Sequence, residues 1–248
     1  MNSDLYEHPA LYDALFPVRA HLPYYMELAR EASGDVLELA CGTGQLTVPM
    51  ASAGLPIAGV DLSAAMVNRA KERAAAANVS VEHWVGDMRN FELGRQFRLI
   101  FIARNSLLHL HSVDDFLSAF AAIRRHLAPG GTFAFDVFNT NMQRLARPAG
   151  QRFPVMQAET ELFGALSIEE TNDYDAATQI NHARWYISAP GKPDAWTLSL
   201  ALRSIFPQEL PLLLAAGGFD LKSRVGDPGQ TSFSSNSRSQ VCLCQAAI

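Results

Sequence analysis

The chain has 248 residues, 48% of them apolar and 18% charged, a globular balance with enough apolar material for a large core. The net charge is −5, with 20 basic against 25 acidic residues, lysine only at 71, 192 and 222, and no dense Lys/Arg run. A nucleic-acid partner is therefore not expected, because phosphate backbones need a basic surface. Met1 leads into polar Asn2-Ser3-Asp4, and no apolar run reaches the roughly 20 residues of a membrane span, so the expectation is a cytoplasmic chain with no membrane partner. Three cysteines, Cys41, Cys242 and Cys244, are too few for a disulfide framework. Cys242 and Cys244 share one face of a predicted strand, but two ligands fall short of a zinc set, so no metal is expected.

In chain order, residues 5–31 read as two short helices broken at Pro17 and Pro23, rich in aromatics (Tyr6, Tyr12, Phe16, Tyr24, Tyr25). Val36-Leu37-Glu38-Leu39 reads as a buried strand, and Ala40-Cys41-Gly42-Thr43-Gly44 as a tight glycine turn that opens a helix near Gln45. Strand, glycine turn and helix together describe the nucleotide crevice of an open α/β sheet. The dinucleotide fingerprint asks for a third glycine three residues after Gly44; Thr47 stands there, which weakens the reading of an NAD-dependent oxidoreductase. A second apolar strand ends in Asp61, 19 residues after Gly42, where a carboxylate can accept from both hydroxyls of a ribose. Ser63 can cap the following helix, which runs to about Ala77. A strand over 79–85 ends in Gly86-Asp87-Met88, a pair suited to an adenine: Asp87 accepts from the exocyclic amine and Met88 packs on the ring.

Residues 97–103 form a nearly all-apolar strand, predicted to be central in the sheet. Arg104 to His111 follows at its carboxyl end, where ligands bind in doubly wound sheets. Asp114 and Asp115 begin a helix to about Leu127, and a strand over 131–137 leads to Phe138 and Asn139. From about 140 to 205 the pattern changes to β-like runs near 152–162, 165–174, 179–189 and 195–206, separated by turns. A helix from Pro207 to Ala216 and a hairpin over 219–226 and 238–246 close a seven-stranded sheet. The predicted class is α/β: a doubly wound, mostly parallel seven-stranded sheet with an antiparallel β insert.

The stretches ELACGTG, GVDLS, GDMRNF and LAPGGTFAFDVFN, in this order, resemble the successive motifs of class I S-adenosylmethionine (SAM)-dependent methyltransferases. Gly86 to Phe97 and the Tyr12–Arg19 segment are similar to bacterial aminosugar N,N-dimethyltransferases. The resemblance implies a Rossmann-like methyltransferase: residues 1–140 a SAM-binding core with a helical lid, 141–206 an insert covering the substrate site, and 207–248 the completion of the core. It implies a cofactor set of Tyr12, Arg19, Ala40, Gly42, Gly44, Asp61, Leu62, Asp87, Met88 and Arg104, with S-adenosylhomocysteine as product. Arg19 would pair the methionine carboxylate, or be solvated if the lid merely packs. His109 would orient or deprotonate the acceptor, or be a structural histidine. Asn105, Phe138 and Trp185 are the candidate substrate contacts, Trp185 having packing as its alternative. The expected activity is methyl transfer to N or O of a small molecule by a monomer or homodimer; an oxidoreductase and a non-catalytic SAM-binding protein are the competing classes.

Overall fold

The computed structural model describes residues 3–17, 21–228 and 232–247, so the Arg19 expectation lies outside the described residues. Two compact units share the chain, one drawn from Met1–Pro17 and Thr140–Ser204, the other from Val18–Asn139 and Ile205–Ile248. The first unit opens with β1 (Ser3–Asp4), a 3₁₀ turn and α1 (Pro9–Leu15). The second runs through α2 (His21–Ala32), β2 (Val36–Leu39), α3 (Thr47–Ser52), β3 (Ile57–Asp61), α4 (Ala64–Ala76), β4 (Glu82–Val85), β5 (Phe97–Ile102), α5 (Val113–His126) and β6 (Leu127–Phe138). The first resumes as α6 (Met142–Leu145), β7 (Phe153–Thr160), β8 (Gly164–Asp175), β9 (Ile180–Ala189) and β10 (Lys192–Arg203). The chain finishes in the second with α7 (Leu210–Ala216), β11 (Phe219–Val225) and β12 (Ser239–Ala246).

The second unit is a seven-stranded sheet in the order β11-β12-β6-β5-β2-β3-β4. All neighbours are parallel except around β12, which is antiparallel to both β6 and β11. The chain starts at β2, winds out through β3 to β4, and returns to β5 on β2's other side. The strand order reverses between β2 and β5, which makes the crevice at their carboxyl ends the place for a ligand. Every residue of β2 is buried, as a strand covered on both faces requires. Helix α4 is capped as its sequence predicts, Ser63 Oγ accepting from the Met66 N–H at 3.3 Å, and it buries Met66, Val67, Ala70 and Ala74 along one face. Helix α5 starts on a capping box between Ser112 and Asp115. Its buried Phe120 stacks edge-on to Phe133 of β6 and Phe219 of β11.

The first unit is a five-stranded sheet in the order β1-β10-β9-β8-β7, antiparallel except where β1 joins β10 in parallel. Leu166 and Ile168 of β8, Ala183, Trp185 and Ile187 of β9, and Leu198 of β10 bury one face together with Leu5, Leu11 and Leu15. The insert's four strands fall where period-two alternation predicts them, but β10 starts at Lys192 rather than 195, through a bulge between Lys192 and Trp196. The two-residue strand β1 was not predicted; it is too short to show any periodicity.

Strand β4 starts at Glu82 rather than 79 and helix α7 at Leu210 rather than Pro207; three further differences have local reasons. Pro23 does not break a helix: α2 begins at His21, and a proline in the first turn sacrifices no intrahelical hydrogen bond. Helix α3 begins at Thr47, not near Gln45, because Gly42 and Gly44 at φ +55° and +74° keep the chain in the left-handed region. Strand β6 starts at Leu127, which pairs with Phe97; Pro129-Gly130-Gly131 lie in the irregularity that follows, and regular pairing with β5 resumes at Thr132 opposite Leu99. Among the described residues no helix is long and apolar enough to cross a membrane.

Behind the glycine turn, Gly59 of β3 lacks a Cβ for a packing reason: one there would stand 2.7 Å from Cys41 Sγ and 3.0 Å from the His83 ring. His83 is buried on β4, its Nε2 3.0 Å from Thr47 Oγ1, and burial pulls its pKa down to about 4. The folded histidine therefore stays neutral where the unfolded one takes a proton. Its contribution is complete above pH 6.5 and is lost as pH falls toward 4. Urea midpoints measured between pH 7 and 4.5 should fall less for His83→Gln than for the unaltered chain; equal slopes would contradict this.

Candidate active site

The carboxyl ends of β2, β3, β4 and β5 bring together most of the residues predicted to hold a cofactor. After β2 the backbone turns left-handed at Ala40 (φ +56°), Gly42 and Gly44, and the Gly44 N–H closes the turn on the Cys41 carbonyl at 3.0 Å. Arg73 of α4 reaches over to donate its Nε–H to the Thr43 carbonyl at 2.9 Å. A Cβ added at Gly42 would meet nothing within 4 Å among the described residues, so the turn leaves open space against its main chain.

Asp61 ends β3 and ties that turn to its own strand. Its Oδ2 accepts the Gly42 N–H at 2.7 Å and its Oδ1 the Ser63 N–H at 2.8 Å. Burial raises the carboxyl above the usual carboxylate range, while the N–H bonds from Ser63 and Gly42 oppose the rise. With one amide on each oxygen, the carboxylate keeps lone pairs for two hydroxyl donors. Leu62, next in the chain, is 68% exposed, an apolar side chain standing in solvent beside the carboxylate.

Asp87 and Met88 follow β4, which the Gly86 N–H binds to the end of β3 through the Asp61 carbonyl at 2.9 Å. The Asp87 carboxylate is not waiting for a ligand alone. Arg89 holds both oxygens, with Nη2 to Oδ2 at 2.6 Å and Nε to Oδ1 at 3.0 Å, and its Nη1 donates to Asp115 of α5 at 2.8 Å. These bonds lower the Asp87 pKa and take that of Asp115 down to about 2. An adenine amine at Asp87 would share the carboxylate with Arg89, a partner that sequence reasoning missed. The signal was the (i, i+2) acid–arginine spacing in GDMR. Met88 is half-buried.

Beyond β5 the chain makes a second left-handed turn, at Arg104 (φ +59°) and Asn105 (φ +65°). The Arg104 guanidinium donates to Gln45 Oε1 at 3.2 Å, bridging β5 to the glycine turn. Glu38 lies buried in β2, its Oε2 without a hydrogen-bond partner among the described residues. Burial pushes its pKa well up, Arg104 opposing and Asp61 adding to the rise. His109 ends a 3₁₀ turn over Ser106–His109 and is half-buried; His111 is exposed. Phe138, at the end of β6, is 46% exposed, and the neighbouring Asn139 side chain donates to the Ser237 carbonyl at 2.9 Å.

Two predicted residues belong to the other unit. Tyr12 lies on α1, its ring 6.0 Å from that of Tyr6 and 5.2 Å from that of Phe16. Trp185 is buried in the first unit's core against Phe16, and its indole N–H points at Glu170 Oε2, 3.3 Å away. Glu170 is itself buried between Arg144 and Arg147, an ion-pair cluster in the insert that the sequence did not announce. All three cysteines are buried and free, and no group of three or more metal-binding side chains gathers among the described residues.

This strand order, with a glycine turn and an acid at the end of the next strand, defines a Rossmann-like α/β fold. Residues 36–131 match the family model described as "Methyltransferase domain". The chain is 30% identical over 138 residues to a dTDP-4-amino-2,3,4,6-tetradeoxy-D-glucose N,N-dimethyltransferase of Saccharopolyspora spinosa, covering 52% of this chain and 54% of that one. It is 35% identical over 106 residues to a dTDP-3-amino-3,4,6-trideoxy-alpha-D-glucopyranose N,N-dimethyltransferase of Streptomyces venezuelae, covering 43% of each. Among solved structures it is similar to the CcbJ methyltransferase from Streptomyces caelestis, with a TM-score of 0.84, 25% identity and 100% of both chains covered. The matches span about half the length of the curated relatives. They favour the methyltransferase class over the oxidoreductase that the glycine turn alone left open.

Asp61→Ala should weaken binding of S-adenosylhomocysteine about tenfold to a hundredfold, the size of a lost charged hydrogen-bond pair. It should also cost about 1–2 kcal/mol of stability, because two loop amides lose their acceptor. Calorimetric titration beside a urea melt checks both; unchanged affinity would remove the ribose assignment.

Proposed function

We propose that the protein is a SAM-dependent methyltransferase that methylates N or O of a small molecule. The carrying observation is the Asp61–Gly42–Leu62 arrangement: a carboxylate with free lone pairs, open main chain at Gly42 and an uncovered apolar side chain, on a methyltransferase-domain framework. The residues fit the cofactor: Asp61 would take the ribose hydroxyls, Leu62 and Met88 the adenine faces, and the Gly42–Gly44 turn would lie along the ribose and methionine part. Arg104 and the buried Glu38 would frame the amino-acid end. When bound, SAM supplies a methyl group on a sulfonium, a good leaving group for in-line displacement. The chain's task is then to align the acceptor and exclude water rather than to form a covalent bond.

An aminosugar carried on a nucleotide is the acceptor class we favour, because the relatives named above are, by name, N,N-dimethyltransferases of dTDP-linked aminosugars and the stretch from Gly86 to Phe97 resembles that group. His109 is the proposed acceptor-side base or orienting group; a neutral imidazole can accept the proton an ammonium or hydroxyl must lose. The role of residues 141–206 as a substrate cover, with Phe138 and Asn105 as contacts, is part of the same proposal. So are Tyr12 and Arg19 on the cofactor, a monomer or homodimer, and a cytoplasmic setting, which free buried thiols suit.

The test is methyl transfer from labelled SAM to a panel of dTDP-aminosugars, matching hydroxyl sugars and unrelated amines. Incorporation confined to the aminosugars supports the proposal; turnover only on hydroxyl acceptors would redirect it to O-methylation. Within that assay His109→Ala should lower kcat about 10²-fold or more, the scale of a lost general base, while SAH affinity stays within a few-fold. Unaltered kcat would make His109 structural.

A further inference from the structure

The turn after β5 is held from behind by a single residue of β6. Arg104 and Asn105 are consecutive left-handed residues. Asparagine visits that region readily, but arginine does so at a cost and needs surroundings that impose it. The imposing group is Asp136, 1% exposed, set in the otherwise apolar strand β6. Its Oδ1 accepts the Arg104 N–H at 2.9 Å and its Oδ2 the Asn105 N–H at 3.2 Å. The buried Tyr25 hydroxyl of α2 donates to Oδ1 at 2.6 Å, and His21 Nε2 stands 3.8 Å from Oδ2. One carboxylate thus gathers two successive amides of β5's turn and a phenol, fixing the turn that carries Arg104 across to Gln45 in the glycine turn.

We propose that Asp136 is a positioning residue for the cofactor. By holding Arg104 and Asn105 left-handed, it sets the reach of Arg104 over the crevice between β2 and β5. This rests on the reading that the crevice binds SAM. The function is indirect: Asp136 is buried behind the turn, and the ligand would meet the turn's front. Sequence reasoning could have flagged it, since a lone acid inside FAFDVF is costly to bury unless hydrogen-bonded.

The experiment is titration with S-adenosylhomocysteine of the full chain and of Asp136→Asn, Tyr25→Phe, Asn105→Gly, Asn105→Ala and the double variant Asp136→Asn/Asn105→Gly. Asparagine at 136 presents an N–H₂ to donors whichever way it turns, so Asp136→Asn should weaken binding roughly tenfold. Glycine accepts the left-handed conformation without help, so the double variant should bind more tightly than Asp136→Asn alone. A merely structural role would not produce that rescue. Tyr25→Phe removes one contact to the same carboxylate but leaves both amides served. It should lower the melting temperature while holding affinity within about twofold. If Asp136→Asn does not fold, the Asn105 pair decides. Both variants lose the side chain, and alanine alone resists the left-handed turn, so it should bind roughly fivefold more weakly than glycine. Unchanged affinity in Asp136→Asn, additive effects in the double variant, or equal affinities for Asn105→Gly and Asn105→Ala would overturn the proposal. Failure of the unaltered chain to bind would instead strike the SAM reading itself.

Discussion

The bond between the Asp61 carboxylate and the Gly42 N–H sets the geometry of the crevice. Parallel strands lie side by side without any intrinsic reason for their connecting turns to be ordered, and this bond joins the turn after β2 to the end of β3. Glycine is needed because the turn is left-handed there, and the acid because the half-buried turn amide needs an acceptor. The arrangement also leaves lone pairs and open space facing outward. The interaction that orders the turn is thus the one that prepares it to bind polyhydroxylated ligands.

A second carboxylate does a similar service one strand further on. Asp136 orders the turn after β5 as Asp61 orders the turn after β2. The two turns meet through Arg104 and Gln45, on either side of the place where the strand order reverses. Their environments differ. Asp61 caps loop amides near the surface of the crevice, whereas Asp136 sits wholly inside the sheet's carboxyl edge with a phenol on the same oxygen. Glu38, buried in β2 with an oxygen that has no partner among the described residues, gives the crevice a third acid whose charge is disfavoured by its surroundings.

Much of the fold could be read from local rules. Ser63 and the Ser112–Asp115 box announce their helices because caps act within three residues. The insert's strands announce themselves by alternation, and the class by four ordered motifs. What escaped is non-local or positional. Pro23 could be placed inside a helix only once the helix start was known. Arg89 takes up Asp87 by closing on its own turn and then reaching α5, a contact between residues 26 apart. Asp136 is visible as an odd acid in an apolar strand, but its partners, Tyr25 and the amides of 104 and 105, are brought there by three separate elements. Trp185 illustrates the opposite limit: the sequence offered substrate contact or packing, and the structure places it in an apolar core with its N–H already directed at Glu170.

Every role assigned to the β2–β5 crevice depends on the identity of its ligand. Calorimetric titration of the purified chain with S-adenosylhomocysteine, with NADH run in parallel, tests it most directly. Saturable binding of S-adenosylhomocysteine, with no heat from NADH, is the result expected of a crevice with two glycines and Asp61 at the ribose. Binding of NADH in its place, or of neither, would contradict it.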